Sequence, residues 1–220
     1  MLFLINTGTN HLSILSNLMS DDRHHISDED ALMVASWRNG EISSFEKLVV
    51  KYQKRIFNIA FRVTCDYEDA CEVTQDAFVA AFRGIDSFRG EARFSTWLTS
   101  ITLNLSRTRL QLAQAKKKNE AFSLDGPGKG EDFRSSHERP SPAPSPLEQL
   151  ERRTIHEKLR ECIKALSAEF REAIVLRDLH DYSYDDICSI LKVREGTLKS
   201  RLFRAREQVR ECMKRAMGDL

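Results

Sequence analysis

Within about two helical turns the chain places Thr197, Lys199, Ser200, Arg201 and Arg204. These are fixed cations and hydroxyl donors, with no acid among them and no nucleophile–base pair. Such a set makes and breaks no bonds. It pairs with phosphates, which supplies sequence-independent affinity for nucleic acid. Arg, Lys and Thr also match the donor and acceptor pattern of base edges in the major groove. A second set surrounds a glycine: Phe88, Arg89, Gly90, Arg93, Phe94 and Trp97. Rings interleaved with cations suit unstacked bases, with the cations following the backbone. Trp97, three residues after Phe94, reads instead as a core anchor. The same stretch runs on through Asn104, Arg107 and Arg109 to Lys116-Lys117-Lys118, and residues 92–118 hold six bases and no acid. A third set has the opposite sign: Asp66, Glu68, Asp69, Glu72 and Asp76, with no base between them. The first three complement a helix dipole. Glu72 and Asp76 lie further along, and two readings stay open for them, a solvated helix face and a docking surface for a basic protein.

The elements that carry these residues are helices. Ser183 with Asp186 forms a capping pair, and Tyr184, Ile187, Cys188 and Leu191 follow on one face. Lys192-Val193-Arg194 makes a short turn. A second helix from Glu195 buries Leu198, Leu202, Ala205 and Val209, so the cations face outward. This is a helix-turn-helix pattern, and its second helix fits the major groove. Residues 192–220 contain nine Lys and Arg against four Asp and Glu, more lopsided than the mixed signs of an ordinary solvated face. Upstream, Ser27 to Asp30 caps a short helix carrying Ala31, Leu32 and Ala35. Ser43 with Glu46 opens a long one through Phe45, Leu48, Val49, Tyr52, Ile56, Ile59, Ala60 and Val63. Asp66 and Asp69 cap a third, with Ala70, Val73, Ala77, Phe78, Ala81 and Phe82 inside and Gly84 at its end. Ser95 or Thr96 caps the next, directing Leu98, Ile101 and Leu105 inward. After the linker come a helix with Leu150, Ile155, Leu159, Cys162, Ile163 and Leu166, and one capped by Ser167 with Phe170, Ile174, Val175 and Leu179. No β-rich alternation occurs, so the expected fold is all-α.

All five prolines lie between residues 119 and 147, among glycines and serines. That predicts a flexible linker between two helical domains. Expected boundaries are an N-terminal extension over 1–26, a first domain over 27–118, the linker over 119–147 and a second domain over 148–217. Met19 reads as the native start. The net charge of +1 conceals alternation: residues 1–91 carry −5, 92–118 carry +6, 119–191 carry −5 and 192–220 carry +5. Two polyanion-facing surfaces alternate with two that avoid nucleic acid or meet a basic partner. The five cysteines show no metal-ligand spacing and read as buried thiols of a cytosolic protein. The longest N-terminal apolar run, Met1 to Ile5, is far too short for a membrane span. No phosphate-binding loop, catalytic constellation, metal cluster or cofactor motif is present, so an enzyme is not expected.

Three stretches in this order, Asp66 to Phe82, Phe88 to Leu110 and Tyr182 to Arg206, resemble bacterial RNA polymerase sigma factors of the compact extracytoplasmic-function group of the sigma-70 family. The resemblance covers roughly residues 28–215 apart from the linker. It implies a two-domain protein that gives core RNA polymerase its promoter recognition and DNA melting. Glu68, Asp69, Glu72, Gln75 and Asp76 would then face the clamp coiled coil of the largest polymerase subunit. Phe88 and Arg89 would help hold a flipped base, and Asn104, Arg107 and Arg109 would line the minus-ten DNA. Arg194, Glu195, Thr197, Lys199, Ser200, Arg201 and Arg204 would meet the minus-thirty-five element. The implied partners are core polymerase, promoter DNA and an anti-sigma factor, with no membrane contact and no cofactor. The rival reading is a stand-alone helix-turn-helix regulator with a sensory N-terminal domain.

Overall fold

A computed structural model describes residues 28–120 and 146–217. The expectations for the N-terminal extension, the Ser27 cap and residues 121–145 of the linker therefore lie outside the described residues. Among the described residues all regular structure is helical: α1 Asp28–Arg38, α2 Ile42–Thr64, α3 Tyr67–Arg83, α4 Phe94–Glu120, α5 Pro146–Lys164, α6 Ala168–Ile174, α7 Tyr184–Leu191 and α8 Glu195–Met217. A 3-10 turn, Ile85–Ser87, follows α3, and a π-helical turn, Val175–Leu179, continues α6.

The N-terminal helices pack around α2, whose apolar positions repeat at helical spacing and bury Leu48, Tyr52, Ile56, Ile59, Ala60 and Val63 as expected. Asp66 caps α3 by accepting from the Asp69 N–H at 2.9 Å. The cap expected at α2 differs: the helix begins at Ile42, and Ser43 Oγ donates to the Glu41 carboxylate at 2.9 Å instead of capping. In α1 the inward face is Val34 and Trp37, whereas Ala31 and Ala35 are exposed and Leu32 is 66% exposed. The Trp37 indole needs the interior more than a leucine does, because its larger apolar area gains more from burial. Helix α4 starts at Phe94, two or three residues earlier than a Ser95 or Thr96 cap allows, and both of those residues are buried. Ser167 likewise makes no side-chain cap at α6.

In the C-terminal unit α7, the turn at Lys192 and α8 follow the expected helix-turn-helix boundaries. Ser183 Oγ accepts from the Asp186 N–H at 3.1 Å. Lys192 turns the chain with φ 55°, in the left-handed region that terminates helices. Not all thiols are free: Cys162 of α5 and Cys212 of α8 form a disulfide, while Cys65, Cys71 and Cys188 remain thiols. The two cysteines fall at facing positions of helices that pack together, which sequence spacing alone cannot show. The bridge closes a 50-residue separation, worth about 4 kcal/mol in the chain-entropy account.

The two units share a core. Ile59, Val63 and Leu103 of the N-terminal helices pack with Ala173, Val175, Leu176, Tyr182, Ile187, Ile190, Leu191, Leu198 and Leu202 of the C-terminal ones. At its centre the π turn ends α6, Asp181 takes φ 54°, and Tyr182 folds back so that its N–H donates to the Leu176 carbonyl at 3.0 Å. His180, half-buried beside this turn, gives its carbonyl to Arg55 at 3.1 Å. The protein packed around its imidazole, reinforced by the charges of Arg55 and Arg62, pushes the His180 pKa down to about 3. An unfolded histidine titrates near 6.5, so the unfolded chain takes up this proton first as the pH falls. The contribution of neutral His180 is complete above about pH 6.5 and is lost progressively towards pH 3. Thermal unfolding between pH 7 and 4 is expected to show a fall in Tm that is shallower in His180→Gln. Equal slopes in both proteins would show that His180 is not involved.

Candidate nucleic-acid interface

Helix α8 presents the first predicted surface. Leu198, Leu202 and Ala205 anchor it from below, so Arg194, Thr197, Lys199, Ser200 and Arg204 lie exposed on the opposite side, joined by Glu195. Arg201 is the exception. It is half-buried and pairs with Glu169 at 2.8 Å. Lys199 pairs with Glu195 one turn earlier at 2.7 Å, which lifts its ammonium above the ordinary lysine value. Among the described residues, Arg194 and Arg204 have no carboxylate partner.

The second surface is a loop closed by Gly90, whose φ of 75° a side chain would strain. Phe88 does not project from this loop. It is 8% exposed and packs against Trp97 at 5.0 Å and Phe94 at 6.0 Å between ring centroids, with the Arg38 guanidinium over its face. A ring with three aromatic or cationic neighbours is better satisfied inside than on the surface. In this arrangement Phe88 cannot stack on a base, whereas Arg89 is exposed. Residues Ser87 to Ala92, with Thr96, Trp97 and Ser100, line a cleft of about 210 Å³ whose far wall is Ser189 and Ile190 of α7.

Along α4, Asn104 is exposed, and its side-chain oxygen accepts from Arg107 at 3.3 Å. The Arg107 guanidinium is held elsewhere, by two bonds of 2.7 and 2.6 Å to the Glu172 carboxylate of α6. That fork raises the Arg107 pKa. Arg109 reaches across to α3, donating to Asp69 at 2.7 Å and pairing with Glu72. The cationic α4 and the acidic α3 therefore satisfy one another in part: a predicted DNA contact is tied to two predicted polymerase contacts. Glu68, Gln75 and Asp76 remain exposed on the same α3 face.

Spacing did not single out Glu169, Glu172 or Asp178. Each holds an arginine, and Asp178 takes both bonds of the Arg206 fork at 2.9 and 2.6 Å. Glu172 had a readable signal, since it directly precedes the continuous apolar run Ala173 to Leu176.

Residues 48–115 match the family Sigma-70 region 2, and residues 156–209 match Sigma-70, region 4. The RNA polymerase sigma-H factor of Pseudomonas aeruginosa is 30% identical over 186 residues, spanning 84% of this chain and 94% of that protein. The chain belongs to the extracytoplasmic-function group of the sigma-70 family. The ECF RNA polymerase sigma-E factor of Escherichia coli is 33% identical over 186 residues, 82% of this chain and 92% of that protein. Two solved structures share the fold of this sigma factor. The sigma factor RpoE of Bartonella quintana, solved with the anti-sigma factor NepR, is 23% identical with a TM-score of 0.58, covering 77% of this chain and 96% of its own. CnrH, solved with the cytosolic domain of CnrY, is 21% identical with a TM-score of 0.61, covering 86% and 99%. Among the described residues of the sigma factor no helix is long and apolar enough to cross a membrane.

Proposed function

We propose that this sigma factor divides its work between two domains, residues 27–118 and 148–217, joined by the linker of 119–147. The first binds core RNA polymerase through Glu68, Asp69, Glu72, Gln75 and Asp76, and holds minus-ten DNA with Arg89, Asn104, Arg107 and Arg109. The second reads the minus-thirty-five element with Arg194, Glu195, Thr197, Lys199, Ser200, Arg201 and Arg204. The observation that supports this most is the match to both sigma regions in chain order, combined with a cationic α8 face supported by a buried Leu198–Leu202–Ala205 stripe. The protein acts by binding and not by catalysis, in the cytoplasm where core polymerase works. An anti-sigma protein binds it, as the anti-sigma factor NepR is in complex with the sigma factor RpoE in the Bartonella quintana structure.

Run-off transcription with purified core polymerase on a library of promoter fragments tests the reading. Initiation that depends on this protein, at a shared two-part motif, is the expected result. No initiation, together with tight duplex binding by the protein alone, would turn the reading to a stand-alone regulator. Within that assay Arg201→Ala is expected to cost about 1–3 kcal/mol at one promoter position. An equal loss on every promoter would mark a phosphate contact. No loss at all would leave Arg201 as a structural tie to Glu169.

A further inference from the structure

Past Ala205, helix α8 runs on for about three turns, Arg206 to Met217, without one fully buried side chain. The first of these turns is still held by contacts: Asp178 grips Arg206, and Val209 packs beside Leu166, Ile174 and Ala205. Further along, the helix is fastened by a bond of another kind, the bridge from Cys212 to Cys162 of α5. The two cysteines differ in access. Cys162 is 2% exposed, on the inward face of α5 with Leu159 and Ile163, whereas Cys212 is half-buried. Beside the bridge lies a pocket of about 380 Å³, walled by Ala165, Glu207, Gln208, Glu211 and Arg215. That volume suits a small organic ligand. The carboxylates of this wall are partly neutralised. Glu207 pairs with Arg210 at 2.7 Å, and Glu211 lies 3.9 Å from both Arg210 and Lys214. Among the described residues Arg215 has no carboxylate partner, and its Nε donates to the Glu211 carbonyl at 3.2 Å.

A disulfide opens when a thiolate attacks one of its sulfurs, and access decides which sulfur is attacked. Here that sulfur is Cys212 Sγ. Cytoplasmic thiols keep most cysteines reduced, and a disulfide formed there is usually transient and redox-sensing. The resting state therefore rests on the cytoplasmic reading proposed above, and the geometry of the pair does not. The two Cα atoms lie 5.7 Å apart on packed helices, within bonding reach of each other.

We propose that Cys162 and Cys212 form a reversible redox site, and that the pocket beside them admits a small peptide thiol bearing a carboxylate. Arg215 receives the carboxylate, and the thiolate attacks Cys212 Sγ. The S–S bond breaks, its electron pair leaves on Cys162 Sγ, and that sulfur takes a proton from water. A second thiolate then attacks the ligand sulfur of the mixed disulfide. It departs with the first as a peptide disulfide, and Cys212 is left as a thiol. In the reverse direction the peptide disulfide restores the bridge and is released as two thiols, so no other oxidant is needed. Bridged, the end of α8 is fixed to α5. Reduced, residues 206–217 are held only by their half-buried side chains.

The test uses the full chain, with glutathione as the thiol. Protein is equilibrated at graded ratios of reduced to oxidised glutathione, quenched in acid, alkylated and mapped by mass spectrometry. Cys162 and Cys212 are expected to pass together from alkylated to bridged as the ratio falls, and to return as it rises. Cys162→Ser is expected to carry glutathione on Cys212, whereas Cys212→Ser leaves Cys162 bare. Arg215→Glu should slow reduction by glutathione about tenfold, the low end of electrostatic steering. Reduction by mercaptoethanol, which has no carboxylate, should slow less. Amide exchange in residues 206–217 is expected to run about tenfold faster in the reduced protein, with α2 unchanged. Five outcomes overturn the proposal: a bridge that persists at every ratio, cysteines that never pair, glutathione captured equally by both serine variants, an Arg215→Glu protein reduced at the wild-type rate, or equal amide exchange in the two states. The titration uses the wild-type chain, so a serine variant that fails to fold leaves it decisive. None of these measurements involves polymerase or DNA. Failure of initiation in the transcription assay would count against the sigma reading and not against the redox site.

Discussion

Phe94→Ala is expected to destabilise the N-terminal bundle by about 3–5 kcal/mol. Phe94 begins α4 and is almost wholly buried. Its ring contacts Trp37, Tyr52, Phe88 and Trp97 at centroid distances of 6.5, 5.7, 6.0 and 5.9 Å. These neighbours come from α1, α2, the glycine loop and α4 itself, so truncation leaves a cavity where four segments meet. Backbone relaxation in one of them would break the packing of the others, and the void would stay open. Domains are stable by only about 5–15 kcal/mol in total, so the loss is a large share of what holds the bundle. Urea unfolding followed by tryptophan fluorescence measures it, since Trp37 and Trp97 both report on this site. Phe94→Leu should lose clearly less. A loss below about 1 kcal/mol for the alanine variant would show that the cluster closes over the gap, and Phe94 would not be its keystone.

Charge reversal on α3 is expected to have the largest effect on assembly. Glu72 and Asp76 stand one helical turn apart and are exposed. Glu72→Lys with Asp76→Lys moves four charge units on one small patch. If that patch meets a basic polymerase surface, affinity for core polymerase should fall by about thirtyfold or more, as for close charge pairs at other interfaces. Folding should change little. The Arg109–Glu72 pair is lost, but exposed pairs contribute about 0–1 kcal/mol, and Asp69 keeps Arg109 at 2.7 Å. Competition with a labelled reference sigma factor for purified core polymerase measures the binding. Normal assembly by a normally folded double variant would remove the docking assignment from this face.

The helix-turn-helix was legible because every local signal agreed. Ser183 caps, Lys192 turns, and the Leu198–Leu202–Ala205 stripe has one period, so the boundaries of α7 and α8 follow from sequence. The long α2 was legible for the same reason, with its apolar positions continuous over more than five turns. Phe88 was misread because a ring beside arginines on a glycine loop looks the same in sequence whether it stacks on a base or on Trp97. The distance between Phe88 and Trp97 in space decides, and that distance comes from the path of α4. Helix α1 was misread because its apolar residues outnumber the positions that can face inward, so Val34 and Trp37 displace Leu32. The contact between the two units was invisible for a different reason. Arg107 and Glu172 are 65 residues apart, and no local period links residues on opposite sides of a linker.

The pairing of arginines and lysines within the protein bears on how it discriminates among nucleic acids. Arg107, Arg109, Lys199 and Arg201 each hold a carboxylate of their own chain. When a free cation meets duplex DNA, condensed counterions leave, and this release drives nonspecific adhesion. When a paired cation does so, it first gives up its acid, which then gathers counterions of its own. The entropy gained from ions is correspondingly smaller. If these four cations meet DNA as proposed, their contribution to adhesion on arbitrary sequence is smaller than that of free cations, and it grows only where a binding partner or correct base edges compensate for the separated pairs.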